Sequence, residues 1–415
     1  MLFLYNLLIH IATAFLPVVA LFNTKIKLFV QGRKASFSIL RQKIQPTDRV
    51  FWIHVASLGE YEQGLPIMEA LKQQFPTHKI VLTFFSPSGY EVKKNNTLAD
   101  ATLYLPMDTK QNAKTFLKLT HPEKVFFVKY EYWPNYLNQL KKQGIETYLV
   151  SGIFRPDQVF FKWYGSFYRK ALSAFTYFFV QNKQSQQLLA SLDIHHSQVV
   201  GDTRFDRVSQ ILEQDNTLPF LEELTHGKTK QTLVVGSSWP QDEKIILDYI
   251  NQTTDQELKV VLAPHNIKPD QIKQLYESIQ KPKQLHSQYQ AGSTDLTHVQ
   301  VYLIDAYSLL TKAYSYASIA YVGGGFGAGI HNILEAATFG VPILIGPNYK
   351  KFQEAKDLIQ LGSCIVINNE ADFINNLSKL LTNDDLRCEL SKVSSDFILA
   401  NKEATSKITT HITNI

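Results

Sequence analysis

The chain opens on an apolar run, "MLFLYNLLIHIATAFLPVVALFNT", with no Asp, Glu, Lys or Arg through residue 24. After residue 49, short apolar runs with strand character alternate with longer segments of helical spacing. The runs at 49–57, 78–85, 125–131, 146–152, 177–182 and 197–203 read as strands, most followed by a helical pattern. The rhythm then restarts at 231–239, 258–265, 299–305, 318–325 and 341–347. Such alternation predicts an α/β protein with doubly wound, mostly parallel sheets. The polar stretch 212–230 separates the two series and reads as a linker. The expected organisation is a membrane anchor over 1–24, a Rossmann-like domain over 25–211, the linker, and a second Rossmann-like domain over 231–415, with packing of its C-terminal helices back on the first domain as an option. The two domains are expected to face a cleft.

Composition narrows this picture. With 415 residues the chain exceeds what one core usually supports, and 45% hydrophobic content with 19% charge fits a folded globular protein. Two cysteines, Cys364 and Cys388, cannot make a disulfide framework or a metal cluster and suit a reducing compartment. The formal net charge of +5 is modest, and no nucleic-acid partner is expected. Its placement matters more. Lys25, Lys27, Arg33, Lys34, Arg41, Lys43 and Arg49 follow the apolar run against a single acid, Asp48. An apolar segment followed by a basic one reads as membrane anchoring with the basic side on anionic lipid. There is no basic n-region and no clear small-residue cleavage site, as a signal peptide would have. A spanning helix, a helix lying in the interface and a buried helix of a soluble domain all remain open.

In open α/β sheets, ligands bind at the carboxyl ends of strands, and the unusual residues of this chain fall there. "SLGE" brings Ser57, Gly59 and Glu60 to the end of the first strand. Glu60, near a helix start, reads as a capping carboxylate or as a general base for a substrate hydroxyl. Glu131 of "EYWPN" stands beside aromatics suited to a sugar face, though Trp133 also reads as a core ring. Arg204 of "GDTRFDR" reads as an anion clamp or as a surface ion pair. In the second half, "GSSW" carries Ser237 and Ser238, and "APHNIK" carries His265 and Lys268. The segment "YVGGGFGAGIHNILE" is neither a Walker A loop nor a regular G-x-G-x-x-G. Gly324, Gly325 and a helix starting near Asn332 would offer amides to a phosphate, with His331 and Glu335 close by. A glycine turn made for packing is the alternative. No metal-ligand spacing occurs, and neither a metal nor a cofactor is expected.

Taken together, these motifs resemble the bacterial Kdo transferases, which move 3-deoxy-D-manno-oct-2-ulosonic acid (Kdo) from CMP-Kdo to a lipid A precursor. The match includes "GRK" (32–34), "HVASLGE" (54–60), "FSPSGYE" (85–91), "YLPMD" (104–108), "EYWPN" (131–135), "GDTRFD" (201–206), "APHNIKP" (263–269), "GGGFGAGIHNILEAATFGVPILIGP" (323–347) and "FQEA" (352–355). The resemblance implies a GT-B fold, inversion at the Kdo anomeric carbon and no metal requirement. It implies Glu60 as the base and Glu131 as the second important acid. Arg204, Ser237, Ser238, His265, Lys268, Gly324, Gly325, His331, Asn332 and Glu335 would then hold the donor. Ser57, Gly59, Lys25, Lys27, Arg33 and Lys34 would meet the acceptor and the cytoplasmic face of the inner membrane. The chain departs from many relatives at Lys129, where they carry an acid, and at Pro264-His265, where they carry Pro-Arg-His. A UDP-sugar enzyme of the same fold and a non-catalytic membrane scaffold are the alternatives.

Overall fold

The computed structural model describes residues 2–228 and 231–413, so Met1, the last two linker positions and the last two residues of the chain lie outside the described residues. The chain forms two compact units, Met1–Arg207 with Asn401–Ile415, and Val208–Ala400. Each is built on one seven-stranded sheet, and all strand pairs are parallel.

The first unit contains β1 (Val50–Val55), β2 (Lys79–Phe84), β3 (Ala101–Tyr104), β4 (Lys124–Val128), β5 (Glu146–Gly152), β6 (Tyr177–Val180) and β7 (Ser197–Val199), in the order β3-β2-β1-β4-β5-β6-β7. The second contains β8 (Thr232–Ser238), β9 (Lys259–Pro264), β10 (Lys283–Leu285), β11 (Val301–Leu303), β12 (Ile319–Val322), β13 (Ile343–Ile345) and β14 (Cys364–Val366), in the order β10-β11-β9-β8-β12-β13-β14. Central strands are covered by helices on both faces. This is why β1 reads "VFWIHV" with all six residues buried and no polar alternation. The chain order reverses between β1 and β4 in one sheet and between β8 and β12 in the other. These switch points open the crevices where α/β sheets bind ligands.

Three strands, β3, β10 and β14, are absent from the expected pattern. Each has three or four residues and lies at a sheet edge, too short to show a period. Within the stretch read as a linker, helix Pro219–Leu224 buries Phe220, Leu221 and Leu224 and belongs to the second unit. The last helix, Ala404–Thr413, returns to the first unit. Ala404, Ile408 and Ile412 join the core around Val55, Phe84 and Val128. Asp206 fixes its start, accepting from the Glu403 and Thr405 amides and the Thr405 hydroxyl.

The apolar N-terminal segment is one helix, Leu2–Val19, with no buried residue. Phe3, Phe15 and Leu8 are exposed, while Tyr5, Asn6, Ile9, Thr13 and Leu16 form a half-buried stripe at helical spacing. The stripe is docked at its first turns. The Tyr5 hydroxyl donates to Asp108 at 2.7 Å, and Asn135 donates to the Asn6 side-chain oxygen at 2.8 Å. The next helix, Thr24–Lys43, starts at an Asn23 cap and packs on β3.

Candidate functional site

In the first unit the site forms across the β1/β4 switch point. Helix Leu58–Gln74 begins directly after β1, which puts Glu60 in its first turn. Ser57 occupies the cap position but makes no hydrogen bond to the helix amides. Its hydroxyl donates to Glu60 Oε2 instead. Ser57 and Glu60 are half-buried and Gly59 is exposed. A side chain at Gly59 would meet only Ser57 Oγ, at 3.8 Å.

Glu131 reaches the same end of the sheet from β4. The strand stops at Val128, and Lys129 turns the chain with φ 70°. Glu131 Oε2 then lies 3.0 Å from His54 Nε2 and accepts from the Trp133 indole at 2.8 Å. His54 is fully buried within β1, and its Nδ1 lies 2.8 Å from Thr83 Oγ1. Trp52 Nε1 donates to that hydroxyl at 2.8 Å. With the His54 proton on Nε2, every link has one donor and one acceptor: Trp52 to Thr83, Thr83 to His54, His54 to Glu131. The chain of bonds ties the carboxylate to the core of the sheet. Trp133 also stacks near Phe85, with ring centroids 4.8 Å apart.

The basic residues separate into two groups. Lys25, Lys27 and Lys34 are exposed. Arg33 is buried, contrary to a role as a surface cation. It donates to Phe29 O and Phe85 O and lies over the Phe29 ring at 3.4 Å. Burial pushes its guanidinium down to about 9, which leaves it charged at neutral pH. Its role is to pin helix Thr24–Lys43 to the loop after β2. Arg204 is committed to Asp202, donating from Nε and Nη2 at 3.0 and 2.9 Å. Burial raises the Asp202 carboxyl, but Arg204 and a hydrogen bond from Gln63 outweigh it and hold the group below the usual carboxylate range.

In the second unit the site forms across the β8/β12 switch point. Trp239, just past β8, donates from Nε1 to His331 Nε2 at 2.9 Å. His265, after β9, stacks against both rings, at 4.7 Å from Trp239 and 4.4 Å from His331. Burial, then the neighbouring His265, lowers His331 to about 4, and burial lowers His265 as well. Both imidazoles are neutral at pH 7, as the Trp239 bond to a ring lone pair requires. Lys268 is exposed at the start of helix Pro269–Ser278.

The glycine turn departs from the expected amide cradle. The Gly324 amide is taken by buried Asp242 at 2.8 Å, and the same carboxylate accepts from the Trp239 amide and the Tyr321 hydroxyl. The Gly327 and Gly329 amides close onto Gly324 O. The glycines serve close packing: a Cβ on Gly323 would stand 2.5 Å from Ser237 O, and one on Gly325 2.5 Å from Gly346 Cα. The helix expected near Asn332 begins at Leu334 and has five residues. Asn332 accepts from the Leu334 amide and donates to Glu335 at 3.0 Å, and Thr311 donates to the other Glu335 oxygen at 2.6 Å. Ser238 is buried and donates to Glu243, while Ser237, at φ 53°, lies against Gly323.

Comparison with known proteins bears on both units. The profile of a family described as "3-Deoxy-D-manno-octulosonic-acid transferase (kdotransferase)" matches residues 31–207. The chain is 28% identical to the 3-deoxy-D-manno-octulosonic acid transferase of Rickettsia bellii over 85% of this chain and 84% of that one. It is 24% identical to that of Chlamydophila psittaci over 91% and 89%. Over most of its length the chain is similar to Kdo transferases. Its fold is GT-B, similar to a UDP-GlcNAc 2-epimerase from Neisseria meningitidis (TM-score 0.61, 14% identity, 88% of this chain and 100% of that one). It is also similar to Acinetobacter baumannii MurG (TM-score 0.55, 12% identity, 89% and 100%). At such identities the solved structures speak for the fold alone.

Glu60 and Glu131 both stand at the β1/β4 switch. Sequence reading missed the groups that hold its candidates in place: His54, Thr83, Trp239 and Asp242. A histidine inside an otherwise apolar strand was the available signal for His54. Asp242, three residues after a strand-end Trp, has the position of a helix-start acid and gave no sign of reaching Gly324.

Proposed function

We propose that this glycosyltransferase moves Kdo from CMP-Kdo to the sugar hydroxyl of a lipid A precursor with inversion, and that Glu60 is the general base. The observation that carries the reading is the Ser57–Glu60 pair at the end of β1. The Ser57 hydroxyl orients the carboxylate at the start of helix Leu58–Gln74. Glu60 takes the acceptor proton as the hydroxyl attacks the anomeric carbon. With Oε2 of Glu131 held by His54 and Trp133, Oε1 is the oxygen offered to a sugar hydroxyl. In the second unit the Trp239–His265–His331 stack supplies flat faces for a pyrimidine ring, and the exposed Lys268 supplies positive charge for the departing phosphate. The Glu335 carboxylate, oriented by Asn332 and Thr311, suits ribose hydroxyls.

The lipid acceptor gives the N-terminal helix its purpose. Its early turns hydrogen-bond to the first unit, a half-buried stripe continues along it, and its far end leads into a helix packed on β3. With both ends tied to one unit, it lies in the membrane surface and does not cross it. Exposed Lys25, Lys27 and Lys34 then face anionic headgroups on the cytoplasmic side.

The test is transfer from CMP-Kdo, generated in situ, to a tetra-acylated lipid A precursor. Wild type should release CMP and shift the lipid by at least one Kdo, and Glu60→Gln should do neither. An active Glu60→Gln protein removes Glu60 from the base role. Transfer supported by UDP-sugars and not by CMP-Kdo overturns the whole reading.

A further inference from the structure

Trp163 is 91% exposed and its neighbour Tyr164 51%, with the two rings edge to face at 5.4 Å. Large rings left in water forgo about 1.5–3 kcal/mol of burial each. Their loop is nevertheless firmly built. Arg169 Nη1 donates to Phe160 O and Lys162 O, both at 2.9 Å. The Gly165 amide donates to Lys162 O at 2.9 Å, and a Cβ on Gly165 would stand 1.9 Å from Val159 O, so only glycine fits the turn. Phe160 anchors the loop in the core, its ring 4.8 Å from that of Tyr132. A braced turn that holds two aromatic rings outward presents them to something.

Two observations identify the occupant. The first is continuity with the apolar N-terminal helix. Phe167, on helix Ser166–Leu172 directly after the loop, has its ring 5.6 Å from Tyr5. A cavity of about 340 Å³ opens there, lined by Leu2, Pro134, Phe167, Lys170 and Ala171 among others. The second is charge. Between Asp157 and Asp193 the chain carries Lys162, Arg169, Lys170 and Lys183 and no acid. Trp and Tyr with flanking lysines match the headgroup layer of an anionic bilayer, where amphipathic rings settle and cations meet lipid phosphate.

We propose that Trp163 and Tyr164 form a second membrane contact beside helix Leu2–Val19, inserting into the interface of an anionic bilayer. The proposal rests on the membrane reading of that helix. A second contact point fixes the rotation of the first unit on the membrane, which one helix lying along its own axis leaves free.

The experiment uses the full-length protein and phosphatidylethanolamine–phosphatidylglycerol vesicles with brominated acyl chains, which quench tryptophan on contact. Wild type should bind, with quenching that Trp163→Phe largely removes while binding persists. Trp163→Ser/Tyr164→Ser should melt as wild type does and bind the vesicles about tenfold more weakly, from the loss of two interfacial rings. Wild type that binds without Trp163-dependent quenching overturns the second contact and leaves the helix reading intact. So does a double variant that binds like wild type. A lipid-free dimer that the double variant abolishes assigns the rings to a second copy and also overturns it. Failure of wild type to bind any vesicle overturns both readings.

Discussion

His54 Nε2 stands 3.0 Å from Glu131 Oε2, joining β1 to the loop after β4 across the point where the strand order reverses. Trp239 and His331 make the equivalent connection in the second unit, from the end of β8 to the turn after β12, at 2.9 Å. In both sheets a ring N–H seals the crevice floor and orients the group beside it.

For the first unit this predicts a split outcome for His54→Phe. The variant removes the donor to Glu131 and leaves the buried Thr83 hydroxyl only the longer bond to Ile53 O at 3.3 Å, costing about 1–3 kcal/mol in chemical denaturation. Transfer should fall at least tenfold, roughly the 1.4 kcal/mol of one lost orienting bond. CMP binding, measured by calorimetry, should not change, because the groups proposed to hold the donor belong to the other unit. Weaker CMP binding would argue against this division of labour.

Much of this was legible in the sequence. Central strands were visible because burial on both faces writes them as continuous apolar runs, and the strand-end motifs located Glu60, Glu131, His265 and His331. The edge strands β3, β10 and β14 were not, since three or four residues carry no period, while the edge strand β7 was. Nor could the sequence distinguish a glycine that admits a ligand from one that admits another backbone. Gly323 and Gly325 look like a phosphate loop in one dimension, yet they pack against Ser237 and Gly346, which are distant in sequence. Arg33 failed for a similar reason. It sits in a basic run, but helical geometry turns it inward onto Phe29 and Phe85 while Lys34 stays outside.

Asp242 should prove the structural centre of the second unit's site. It is fully buried and accepts from the Gly324 amide, the Trp239 amide and the Tyr321 hydroxyl. Asp242→Ala leaves these donors without an acceptor, at about 1–3 kcal/mol for each one stranded, though such losses do not simply add. The expected result is a loss of about 3 kcal/mol or more in chemical denaturation, with weaker CMP binding. Asp242→Asn, which keeps one accepting oxygen, should lose less. Equal stability of the three proteins would show that water replaces the carboxylate.

His331 makes stability depend on pH in a defined window. Its folded value is about 4 against an ordinary 6.5, mainly through burial. Between those values the unfolded chain takes up a proton that the folded one refuses, so this contribution is complete above about pH 6.5 and is lost as pH falls through 4. His265, lowered by burial too, acts with the same sign. Glu243, raised by burial, acts with the opposite sign. The informative quantity is therefore the difference between wild type and His331→Phe in urea midpoints from pH 4 to 7. Wild type should lose more stability than the variant toward the acid end. Parallel curves would mean that His331 is protonated while still folded.

Two glycine substitutions should separate packing from ligand access. Gly325→Ala places a methyl 2.5 Å from Gly346 Cα, backbone against backbone, so the β12 and β13 turns must move apart. Overpacking of this kind costs about 1–3 kcal/mol, and it should appear as a lower melting temperature before any effect on catalysis is considered. Gly59→Ala meets only Ser57 Oγ at 3.8 Å and sits in a helical first turn. Alanine is better there by about 0.5–1 kcal/mol in a helix interior and by less at an end, so this variant should be as stable as wild type or slightly more so. If the acceptor sugar approaches the backbone between Ser57 and Glu60, the added methyl should raise KM for the lipid and leave the melting temperature and CMP affinity unchanged. A Gly59→Ala enzyme with wild-type KM would place the acceptor further from the helix start and return Gly59 to a purely conformational role.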